Sequence, residues 1–166
     1  CRYIPMVAAL GAKVFVEVPK PLVSLIKTLK GDFSIVEKGD ALPNFDMVCP
    51  VMSLPLAFKT TLQTVPADVP YLFADTSKQA EWQQKLGAKN KPRIGIVWSG
   101  SLTNKIDLNP ASRRYIPLAE LEPLFALPME FHILQKEFRA EDLASLPNFK
   151  QLHLHELTDF ASTAAL

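Results

Sequence analysis

Apolar positions along this chain switch repeatedly between helical and strand-like spacing. Ile4, Val7 and Ala8 recur at helical intervals, and Gly11 stands where a glycine ends a helix. Lys13 to Val18 then reads as a strand. Leu22, Leu25, Ile26 and Leu29 fall at i, i+3, i+4 and i+7, one face of an amphipathic helix, with Pro21 in its first turn and Gly31 at its end. Residues 33–37 and 46–49 read as second and third strands. Helix, strand, helix, strand, strand predicts a mainly parallel α/β sheet.

Pro50, Pro55, Pro66 and Pro70 follow, and they argue for a crossing segment instead of one long helix. A helix is predicted over 76–86, with Trp82 and Leu86 inward and Gly87 at its end. The polar run 88–92 reads as a linker. The alternation then restarts: strand 93–98, helix 117–126, strand 130–135, helix 140–146, strand 150–154 and a helix from about 159. Two consecutive α/β units are expected, 1–87 and 93–166.

Composition narrows the function classes. The 166 residues carry 18 basic and 17 acidic side chains, for a net charge of +1. That balance leaves no electrostatic footprint for nucleic acid. No apolar run approaches the roughly 20 residues that span a bilayer. Cys1 and Cys49 make no disulfide framework. Cys49, inside the apolar run 46–50, reads as a buried reduced thiol, which points to a reducing, cytoplasmic setting. The chain opens inside a helical pattern without an initiator methionine and closes in what reads as a helix cut short, so a piece of a longer protein is expected.

The densest chemistry lies after the strand 93–98. Ser99-Gly100-Ser101 ends that strand in three small residues, and a polar segment with Lys105, Arg113 and Arg114 follows. Open α/β sheets present backbone N–H groups to phosphates at such turns, and nearby cations neutralise the ligand. Lys105 offers a point charge and either arginine a bidentate fork. The competing reading is a solvated loop, since no glycine-rich nucleotide fingerprint is present. Gln135 and Lys136 end the next strand at the same expected edge, where they could meet a base, ribose or phosphate. Thr158 and Asp159 open the last helix, either as N-cap residues or beside a ligand at that helix start.

Trp98, Tyr71, Phe73 and Phe125 could stack a base, although core packing is their commoner fate. Of the three histidines, His132 lies within a strand, and His153 and His155 alternate on one face of another; a structural role is expected and no metal site.

Phe15 to Leu22, Ser53 to Phe58, Ile96 to Gly100 and Glu156 to Phe160 together resemble one group. It is the bacterial tetratricopeptide-repeat proteins whose C-terminal region is glycosyltransferase-like, related to heptosyltransferases and more distantly to protein O-GlcNAc transferases. The resemblance implies a GT-B architecture of two Rossmann-like lobes. Residues 1–87 would form an acceptor-side lobe lacking its first strand, 88–92 the linker, and 93–166 the first half of a donor-side lobe. It places Ser99, Gly100 and Lys105 on the loop facing a donor diphosphate, and Arg113 or Arg114 at the basic position before the next helix. Gln135 falls on the base side by a looser match.

The resemblance further implies a nucleotide-sugar donor, an acceptor hydroxyl on a protein or glycan, and no bound metal, because cations and a helix start stabilise the leaving diphosphate. A stretch of this extent is expected to be inactive by itself and, with sheet edges uncovered, prone to self-association. The alternative is a non-catalytic nucleotide-binding or scaffold module.

Overall fold

Val14–Val18 (β1) and Phe33–Glu37 (β2) pair in parallel, Val14 opposite Phe33 and Val18 opposite Glu37. They belong to a computed structural model that describes residues 1–100, 115–144, 146, 153 and 155–166. The described residues are mixed helix and strand, with two short parallel two-stranded sheets. By contacts the chain divides into two compact units, Cys1–Gln79 with Asp159–Leu166, and Ala80–Thr158. The sequence reading had set the linker at 88–92 and the last helix with the second lobe.

In the first unit, helix Ile4–Ala8 (α1) precedes β1. A 3-10 turn, Lys20–Leu22, runs into helix Val23–Ile26 (α2) and leads to β2. This right order of strand, helix, parallel strand follows from the switch of hydrophobic period from 2 to 3.6. Ile4, Val18, Ile26, Leu29 and Leu54 are buried and form the apolar interior. The last helix, Phe160–Ala165 (α6), packs on α2 through a small-residue face of Ala161, Ser162 and Ala165. The proline-rich crossing contains a 3-10 turn, Val51–Ser53, and helix Leu54–Ala57 (α3). Side chains tie the crossing down: Arg2 donates to the Pro66 carbonyl and the Tyr3 hydroxyl to Thr60, both at 2.9 Å.

The predicted strand 46–49 is not one. No ladder pairs it among the described residues, and Met47, Val48, Met52, Leu56 and Leu62 are each more than four-fifths exposed. Cys49 is likewise exposed, not buried. An apolar run becomes a strand only where a partner edge accepts its N–H groups. Here Pro43 and Pro50 bracket the run and remove donors at both ends.

In the second unit, helix Thr76–Leu86 (α4), whose first turn lies in the first unit, ends at Gly87, whose φ of +63° is the left-handed turn that glycine makes without strain. Arg93–Ile96 (β3) pairs in parallel with Glu130–Ile133 (β4), Arg93 opposite Glu130 and Ile96 opposite Ile133. Between them lie a 3-10 turn, Leu118–Leu121, and helix Glu122–Phe125 (α5). Trp98, Leu118, Ile133 and Leu146 form the core of this unit, with Ile96, Leu121, Phe125 and Phe138 packed around it. Complete burial of Ile133 contributes about 1.5–3 kcal/mol. Residues 140–144 are turns, not the predicted helix; Asp142 explains the difference, because its carboxylate is bonded into the core and cannot sit on a solvated helix face. The predicted strand 150–154 lies outside the described residues except for His153.

Candidate functional site at the carboxyl end of the second strand pair

Because β3 and β4 run in parallel and in register, both chains leave the sheet at one edge. Leu134 donates to the Ile96 carbonyl at 3.0 Å, extending the pairing one residue past the strands. The next polar side chain on the β4 side is Gln135, and it is buried. Its Oε1 accepts from the backbone N–H groups of Trp98 and Ser99, each at 3.1 Å. Its Nε2 donates to the carbonyls of Ser99 at 3.0 Å and Glu137 at 2.9 Å. A primary amide carries one acceptor oxygen and two donor hydrogens, and here all are used on backbone. Gln135 therefore fixes the turn at Ser99 instead of standing free at the edge.

Asp142 fixes the same turn from the other side. Its Oδ2 accepts the indole N–H of Trp98 at 2.9 Å, and its Oδ1 accepts the Leu118 N–H at 2.9 Å. The 3-10 turn at Leu118 starts after Pro117, which has no side-chain oxygen to cap it. A carboxylate from 24 residues away does so instead. The sequence reading missed Asp142; a helix start with proline in place of a capping residue was the available signal. Trp98 is thereby a core residue, packed 5.7 Å from Phe138.

Ser99 forms an antiparallel bridge with Tyr115, and Ile116 donates to the Trp98 carbonyl at 3.1 Å. The two ends of the polar segment are thus joined at its base. Ser99 is buried, and its hydroxyl donates to the Gly100 carbonyl at 3.2 Å. Gly100 and Lys136 are exposed at this edge. Ser101, Lys105, Arg113 and Arg114 lie outside the described residues. The structure brings together Ser99, Gly100, Gln135 and Lys136. A shallow depression lined by Ala88, Asn90, Lys91, Met129 and Glu130 sits at the opposite, amino-terminal end of the same strands.

Thr158 is exposed. In the first unit, Asp159 is the N-cap of α6, its Oδ1 accepting from the Ser162 N–H at 2.6 Å. Lys78 lies 3.4 Å from the same oxygen and 2.8 Å from the Ser162 hydroxyl. Hydrogen bonds from Ser162, first its side chain and then its backbone, hold the Asp159 carboxyl below its ordinary range, with Lys78 adding to them.

The histidines do not share a face. His153 is buried, and the chain turns after it, with the N–H groups of Glu156 and Leu157 both donating to its carbonyl at 3.2 Å. That turn leaves His155 exposed. Among the described residues no group of three or more histidine, cysteine or carboxylate side chains is placed to hold a metal ion, and no helix is long and apolar enough to cross a membrane.

Comparison with protein-family models, with curated proteins and with solved structures gives no match to this chain.

Proposed function

We propose that this chain is part of a nucleotide-sugar-dependent glycosyltransferase of GT-B type, its two units being Rossmann-like lobes, with a donor diphosphate bound at the carboxyl end of β3 and β4. The observation that supports this reading is the clamped turn at Ser99. Two parallel strands end together, the backbone there is held rigid by Gln135 and Asp142, and Gly100 leaves room for a ligand to approach. Preorganised backbone at the carboxyl edge of parallel strands suits phosphate recognition. In this reading Lys105 and Arg113 or Arg114 supply the charge that neutralises the diphosphate, and Lys136 flanks it. Gln135 acts as a positioning residue, not as a contact to the base.

A second reading, a non-catalytic scaffold module, draws on the same amide. Every hydrogen-bonding group of Gln135 is consumed within the fold, which also fits an edge built only for stability.

Calorimetric titration of the longer protein to which this stretch is expected to belong, with UDP, ADP, GDP and CDP, separates the two. The transferase reading expects saturable binding of one of the four, weakened about 10- to 150-fold by Lys105→Ala through loss of a charge-assisted contact. Binding unchanged by that substitution removes Lys105 from the site. Absence of binding by all four nucleotides overturns the transferase reading in favour of the scaffold.

A further inference from the structure

Within the second unit, four titratable side chains stand in a row, two buried histidines between two half-buried glutamates. Glu156 Oε2 lies 2.8 Å from His153 Nδ1, His153 Nε2 lies 2.9 Å from His132 Nδ1, and His132 Nε2 lies 3.5 Å from Glu130 Oε1. The two imidazoles are stacked within 12° of parallel, and both are more than nine-tenths buried. His132 Nε2 has no hydrogen-bond partner among the described residues.

The proton positions follow from this geometry. Glu156, ion-paired with Lys85, stands as the acceptor towards His153. His153 must then carry its hydrogen on Nδ1 to satisfy the 2.8 Å contact. A neutral His153 is left with a bare Nε2, so His132 must donate to it from Nδ1. A neutral His132 in turn has a bare Nε2, a lone pair facing a carboxylate that Arg93 already binds at 2.8 Å. Three gaps are served by two protons, which accounts for the orphaned nitrogen and for the long 3.5 Å separation.

We propose that His132 and His153 are a one-proton acid sensor: the vacancy between His132 Nε2 and Glu130 accepts a single further proton, and the resulting buried imidazolium loosens the turn that carries His153. His132 is held by the β4 ladder, whereas the His153 N–H donates to the Ile133 carbonyl over a long 3.3 Å, and the His153 carbonyl takes the N–H groups of the turn at Glu156 and Leu157. The turn is therefore the part that gives.

The charged surroundings set the direction. Burial disfavours the cation at His132, Glu130 favours it, and Arg93 opposes it. At His153 burial again leads, joined by His132 and Lys85. Lys91 acts through Glu130, and the edge of Trp82 closes the site 5.0 Å from His153. Both histidines are held below their ordinary value. A histidine depressed in the folded state contributes stability above its unfolded value of about 6.5, and that contribution is lost as pH falls below it. The turn tightens at neutral pH and loosens in acid.

Long-range nitrogen–proton spectra of the ring nitrogens in the unaltered protein test the vacancy directly. At neutral pH His132 and His153 are each expected as the Nδ1–H form, with His155 as the exposed third histidine in the same spectrum. On acidification the two rings should take up one proton in a shared step below the ordinary histidine value. Amide exchange at Glu156 and Leu157, corrected for intrinsic rate, should quicken over the same interval. Glu130→Gln should move the step to lower pH, because it removes the carboxylate that favours the cation at His132. An Nε2–H form of His132 at neutral pH overturns the proposal. So do independent titrations of the two rings, or a step that Glu130→Gln leaves in place.

Discussion

The indole N–H of Trp98 and the carboxylate of Asp142 meet at 2.9 Å across a sequence separation of 44 residues, and both are buried. The contact links the chain leaving β3 to the chain leaving β4. The other carboxylate oxygen caps the Leu118 turn, so one side chain satisfies two interior donors.

Asp142→Ala leaves both donors unsatisfied in the core. At about 1–3 kcal/mol for each such group, a loss of about 3 kcal/mol is expected. Urea denaturation measures it. A loss below about 0.5 kcal/mol, typical of a surface change, would show that the two donors find other acceptors.

Gln135 gives a sharper test, because glutamate preserves its shape and its acceptors. Gln135→Glu can still receive the Trp98 and Ser99 N–H groups but cannot donate to the Ser99 and Glu137 carbonyls, and it buries a charge. It should destabilise more than Gln135→Ala, which costs about 1–3 kcal/mol. Thermal unfolding of the two variants ranks them. The reverse order would mean that accepting, not donating, is the role of this amide.

The strands that lead into Trp98 and Gln135 were legible in the sequence; the turns at 140–144, which read as a helix, and the roles of Gln135 and Asp142 were not. Strand periodicity marks 13–18, 33–37, 93–98 and 130–135, and the paired strands form within those bounds, because the pattern of a buried face is local. Asp142, Gln135 and the His132–His153 pair take their roles from partners 21 to 44 residues away. Nothing local distinguishes Gln135 from a polar residue at a strand end. The same limit explains 46–49: apolar side chains allow a strand, but only a neighbouring edge makes one.

Gly95 lies in β3 where an added Cβ would come within 2.7 Å of Leu134 Cδ1. Gly95→Ala should therefore cost about 1 kcal/mol, the strain of turning the Leu134 methyl aside. Adding Leu134→Val withdraws the obstructing methyl, so the double variant should be more stable than the sum of the single changes predicts. A double-mutant cycle by chemical denaturation reads the coupling, and strict additivity would remove Leu134 as the cause.

In the first unit, Ser162 is the main reason the Asp159 carboxyl titrates below its ordinary range. A carboxylate depressed in the folded state contributes stability above its unfolded value of about 3.9, and the contribution fades as pH falls through the folded value. Ser162→Ala removes the side-chain hydrogen bond but keeps the backbone one. It should raise the Asp159 midpoint partway towards the ordinary value and so reduce the stability lost to acid, the loss ending at a higher pH while its onset near the unfolded value stays in place. Carbon-detected titration of the carboxyl follows it, and an unmoved midpoint would transfer the effect to the Ser162 backbone N–H and Lys78.

Arg93 gives the run 88–92 a different character from the connector that its composition suggests. Its Nη2 reaches the carbonyls of Leu86, Gly87 and Ala88 at 2.6, 3.1 and 3.1 Å, while its Nε holds Glu130 at 2.8 Å. A polypeptide nicked between Gly87 and Pro92 would part this guanidinium from three of its acceptors only if the fragments separated. The two pieces should stay together after proteolysis, migrating as one species until a denaturant pulls them apart.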